Sequence, residues 1–186
     1  MVPIASLWLP ILVSAVIVFV VSSIIHMALP IHRGDMQKVP REDEVMAALR
    51  DAELAPGDYV IPYAGSMEAM NSAEYKARRQ KGPVVVMTVM PSGPGNMGAS
   101  LAQWFAFSVV VSLLCAYVAG RALGPGAHYL GVFRFVGVTA FIGYGLALAH
   151  DSIWWKKKWS TTLKYMFDGL VYALMTAGTF GWLWPK

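Results

Sequence analysis

Residues 4–25 contain no charged side chain. A bilayer crossing needs roughly 20 apolar residues, so this run reads as a transmembrane helix. It is not patterned like a secretory signal: Met-Val-Pro supplies no positive n-region and the apolar stretch exceeds the usual length. The helix is therefore expected to be retained, with Pro10 a possible kink near its start and Pro30 its end. Three more apolar stretches follow, at 99–119, 129–149 and 160–184. Only 14% of the chain is charged, against about 25% in soluble domains, and this deficit fits the same class. The expected fold is an all-α membrane protein: four transmembrane helices with a small α+β extramembrane insertion between helices 1 and 2. The divisions are a first helix at 4–29, a polar insertion at 30–98 and a three-helix unit at 99–184.

Within the insertion, Glu42, Asp43 and Glu44 precede Val45, Met46 and Leu49, as in an amphipathic helix with acids in its first turn. Residues 58–62 and 82–90 read as two short strands, and residues 72–80 as a weakly helical charged stretch. A lone two-stranded ribbon is marginal in water, so this segment is expected to pack on the membrane helices or on a partner. Asn96 is placed to cap the second span.

Four spans put both termini on one side of the membrane. The insertion carries eight Lys and Arg (Arg33, Lys38, Arg41, Arg50, Lys76, Arg78, Arg79 and Lys81), and Lys156, Lys157, Lys158 and Lys164 share its side. Positive residues favour the cytoplasm, and acids count little. The insertion is therefore expected on the cytoplasmic side and both termini outside, with Trp154, Trp155 and Trp159 at the inner interface.

In lipid, helices associate through small residues and polar contacts. Gly169, Ala173, Ala177 and Gly181 recur at steps of four on the last span, as do Ser108, Ser112, Ala116 and Gly120 on the second. Such stripes bring helices close, either to each other or to a neighbouring subunit. The intramembrane polar residues are Asp168, Lys164 and Arg134. Asp168 lies about 6 Å from the midplane at 1.5 Å per residue, where a lone carboxylate is costly. Lys164, one turn earlier, is the expected partner; the alternative is an ion or proton site. Arg134 is expected to snorkel outward.

Chemistry-bearing motifs are few. The single cysteine, Cys115, excludes an intramolecular disulfide and a Cys-based metal motif. His26 and His150 fall near the inner interface, where His32, Asp35 and Asp151 could join them; His26, His32 and His150 are the metal or haem candidates, though no metal-binding spacing supports them. The run PSGPGNMG (residues 91–98) lacks the Lys-Ser/Thr of a phosphate loop, and no nucleophile elbow or Ser-His-Asp pattern occurs. No catalytic residue, cofactor or nucleic-acid partner is expected.

LPIHRGD (residues 29–35), TVMPSGPGNMG (88–98) and GLVYALMTAGTFGWLWP (169–185) resemble a group of small bacterial membrane proteins without assigned function. The resemblance implies a four-helix protein of a bacterial plasma membrane and carries over no site residue. The expected role is a non-catalytic accessory subunit packing on other membrane-protein subunits of a larger complex, such as a respiratory or photosynthetic electron-transport assembly. The alternatives are a small ion- or proton-coupled carrier using Asp168, and a membrane enzyme or metal site near His26, His32 and His150.

Overall fold

The computed structural model describes residues 1–186, which divide into two compact units: Met1–Met36 with Asn96–Lys186, and Gln37–Gly95. The first unit is a helical bundle of α1 (Trp8–Ser23), α5 (Met97–Ala122), α6 (Tyr129–Tyr144), the short α7 (Ala149–Trp154) and α8 (Trp159–Trp182). The second contains α2 (Glu42–Asp51), β1 (Gly57–Ile61), α3 (Met67–Asn71), α4 (Ala73–Lys81) and β2 (Val85–Val89).

Three helical stretches are long and apolar enough to cross a membrane: Ile4–Ala28, Met97–Ala122 and Tyr129–Trp154. The expected fourth span, α8, has the length, at 24 residues, but it is more polar. It carries Lys164 and Asp168 and buries Thr161, Thr162, Thr176 and Thr179. The bundle explains this polarity, because α8 packs on both α1 and α6 and turns its polar residues inward. Pro10 causes no break: it falls in the first turn of α1, where its missing N–H has no helical partner to lose. Asn96 caps α5 as expected, its Oδ1 accepting from the Ala99 amide at 3.0 Å.

The third apolar stretch is not one continuous helix. α6 stops at Tyr144, a 3-10 turn spans Leu146–Leu148, and α7 follows. The interruption falls where α8 comes closest. A Cβ on Gly169 would lie 2.6 Å from Gly145 Cα and 2.7 Å from the Tyr144 carbonyl oxygen, so the backbones of α6 and α8 touch there and only glycine fits. Farther along, Ala177 meets Gly137, and Gly181 lies against the Tyr129 ring.

Both small-residue stripes are thus spent inside the bundle. The stripe of α8 faces α6. On α5, Ser112 Oγ meets Ser14 Oγ of α1 at 2.9 Å, the Ser108 carbonyl accepts from the Tyr144 hydroxyl, and Gly120 accepts a hydrogen bond from the Val2 amide at 2.8 Å. Ala116 and Cys115 are fully buried beside them. At the same end of the bundle as Val2 and Gly120, the Gly126 amide donates to Pro185 O at 2.8 Å and Trp184 Nε1 donates to Gly124 O at 3.0 Å. The N-terminal end therefore meets the last turn of α5, and the C-terminal end the loop between α5 and α6.

In the second unit β1 and β2 pair antiparallel, Gly57 opposite Val89 and Ile61 opposite Val85. Ser66 and Ser72 cap α3 and α4 by accepting from the amides of Ala69 and Tyr75. Pro62 is its only buried residue, so the ribbon and its three helices enclose no core of their own.

Candidate functional site

His32, Asp35, Lys164 and Asp168 converge at the end of the bundle opposite the termini. There α1 loosens into a π-helical turn, Ile24–Ala28, closed by Leu29 N donating to Ile24 O at 3.2 Å. Leu29 is extended, as a residue before proline must be, and Pro30 starts the 3-10 turn Pro30–His32. This turn brings His32 back against the first half of α8. The two imidazoles stack in parallel planes, His26 on His32 with centroids 4.7 Å apart, and Tyr165 of α8 lies 4.7 Å from the His32 ring.

His32 sits between two carboxylates. Its Nδ1 is 2.6 Å from Asp35 Oδ2, and its Nε2 is 2.8 Å from Asp168 Oδ2. The side chains are almost fully enclosed: 10% exposed for His32, 6% for Asp35 and 3% for Asp168. Lys164 does not pair with Asp168, contrary to the helical-spacing expectation. Its Nζ donates to Asp35 Oδ1 at 2.7 Å and to the Ile31 carbonyl at 2.9 Å. The one-turn spacing on α8 is real, but the returning turn supplies closer acceptors. Lys164 foremost, and then His32, hold the Asp35 carboxyl below its ordinary value by hydrogen bonds that favour the charged form.

The two sides of His32 differ chemically. The Nδ1 contact with Asp35 has hydrogen-bond geometry. The Nε2–Asp168 contact is close enough for a hydrogen bond but lies outside hydrogen-bonding directions, and neither atom has another hydrogen-bond partner. The Tyr172 hydroxyl, one turn beyond Asp168, is also buried without a partner. Leaving such groups unsatisfied costs about 1–3 kcal/mol each, more for a charge.

The remaining candidates lie elsewhere. His150 is exposed on α7 and edge-on to Trp154 at 6.4 Å, so it does not join His26 and His32. His128 caps α6 by accepting from the Leu130 amide, and Arg134 is exposed. Asp35, which the sequence placed near His26 and His32, does lie in the cluster, whereas Asp151 does not. For Asp35 the available signal was its i, i+3 spacing from His32. The contact between His32 and Asp168, 136 positions apart, had none.

No family model, curated protein or solved structure matches this chain. The site must therefore be read from its own geometry.

Proposed function

We propose that this chain is a four-span protein of a bacterial plasma membrane that serves as an accessory subunit of a larger membrane assembly. Its insertion is cytoplasmic and its termini lie outside. The observation that carries the reading is the coreless second unit. Residues 37–95 bury only Pro62, while Val45, Met46, Leu49, Val60, Ile61, Met67, Met70, Val84, Val86 and Met90 remain exposed. Ordering a residue's backbone costs about 1–2 kcal/mol, and a ribbon with helices recovers that only by burying apolar surface. A partner protein supplies the missing surface. Methionines, adaptable in shape, suit such a contact.

The small-residue stripes do not add to this reading, since both face inward. The positive residues of the insertion and of residues 156–158 support the orientation. The test is photo-cross-linking from Met67 and Val86 in native membranes, followed by mild-detergent extraction, a native gel and an absorption spectrum. The expected result is a cross-linked protein in fixed ratio to this chain, with the spectrum revealing a haem- or pigment-bearing partner. Migration of the chain alone, with no cross-link, would overturn the proposal.

A further inference from the structure

We infer that His26, His32 and Asp168 form a binding site for a divalent first-row transition-metal ion, with Asp35 behind it positioning His32. One potential donor atom from each of the three lies within 4.8 Å of the others. Asp35 engages His32 Nδ1. A neutral imidazole that donates from Nδ1 to a carboxylate has its lone pair at Nε2, whereas an imidazolium would donate from both nitrogens. The neutral ring's lone pair faces a carboxylate oxygen, also an acceptor, at 2.8 Å. Two acceptors at this distance need a positive charge between them, and their directions do not suit a shared proton. A metal at about 2.1 Å from each satisfies both, as two neighbouring ligands of one ion.

The surroundings have the form of a metal centre. Metal-bound histidines usually engage a carboxylate or a backbone carbonyl through their second nitrogen, which fixes ring orientation. Here both do: His32 Nδ1 meets Asp35, and His26 Nδ1 lies 3.0 Å from the Ser22 carbonyl. Each ring therefore has Nε2 as its available nitrogen. Lys164 in turn holds Asp35. His26 is the exposed ligand, and its ring turns out of the parallel stack to close on the ion. Two imidazoles and one carboxylate suit zinc, iron and similar ions, and three protein ligands leave a position for water or a substrate oxygen. Of the three candidate histidines in the sequence, His26 and His32 belong to the group and His150 does not; Asp168 supplies the third donor.

The test uses the full chain in detergent, with any affinity tag removed, stripped by chelator and titrated with Co²⁺ and then Zn²⁺. Visible absorption reports the cobalt ligand field and elemental analysis the stoichiometry. The expected result is one ion per chain, with Zn²⁺ displacing Co²⁺. His26→Ala, at an exposed position, leaves helix content and elution volume unchanged and weakens binding at least 10-fold. Asp35→Asn weakens it about 10–100-fold, as loss of such a supporting carboxylate does. His150→Ala binds like wild type. Absence of stoichiometric binding in the wild type would overturn the inference. So would wild-type affinity in both His26→Ala and Asp35→Asn, or loss of binding in His150→Ala.

Discussion

Replacing Gly169 by alanine forces apart the two helices on which the bundle depends most. The added Cβ would lie 2.6 Å from Gly145 Cα, 2.7 Å from Tyr144 O and 2.8 Å from Gly145 N. All three are backbone atoms, so no rotamer change relieves the contact. Ordinary carbon contacts lie at about 3.5–4.0 Å, so α8 must retreat from α6 by roughly 1 Å. A gap of that size forfeits about a quarter to a half of each dispersion contact along the seam, and overpacked sites typically lose about 1–3 kcal/mol. Alanine returns up to about 1 kcal/mol of helix propensity. The net expectation is a loss of about 2 kcal/mol, measured by unfolding in mixed micelles at rising SDS fraction. Gly137→Ala is the internal control: its Cβ would meet only the Ala177 side chain, at 3.4 Å, so its stability should stay within about 1 kcal/mol of wild type. Gly169→Ala as stable as wild type, or Gly137→Ala equally damaging, would refute close backbone contact at Gly145 and Gly169.

The acid limb of stability should depend on Asp35. Its carboxyl is held below the ordinary 3.8 by Lys164 and then His32. The contribution is therefore complete above that value and lost as pH falls through the lower folded value. Asp35→Asn should flatten the stability profile below pH 3.8; an unchanged acid limb in a pH series of unfolding curves argues against the pairing. The buried Ser14–Ser112 contact, 2.9 Å between hydroxyl oxygens, should give a coupling of about 0.6 kcal/mol in a double-mutant cycle. Zero coupling would show that the two hydroxyls do not meet. Alkaline phosphatase fused after Lys186 should be active in a bacterial host, and the same enzyme inserted in residues 37–95 inactive. The reverse pattern would invert the topology.

Much of the architecture was legible because long uncharged apolar runs favour long helices. The apolar runs announced their helices, Asn96 announced the α5 cap, and the two strands emerged from their β-branched residues, Val85 and Val86 opposite Ile61 and Val60. The break at Gly145 was not legible. It answers to Gly169, a residue on another helix, and a hydropathy window sees only one helix at a time. Lys164 and Asp168 show the same limit. Helical spacing placed them on one face, yet each took a partner from the turn after α1, Asp35 and His32 respectively. That turn exists because a π-helical segment and Pro30 fold the chain back. Tertiary pairing overrode the local rule, and the candidate site lies where this happened.

Hydrogen exchange across residues 37–95 is the most direct measure of whether this unit depends on a partner. The purified chain alone should exchange the amides of α2, α3 and α4 rapidly, because almost nothing is buried over them. In complexes extracted intact from native membranes, the same amides should exchange at least 10-fold more slowly. Equal, strong protection in the purified chain would mean that the unit is stable without a partner and would contradict the accessory-subunit reading.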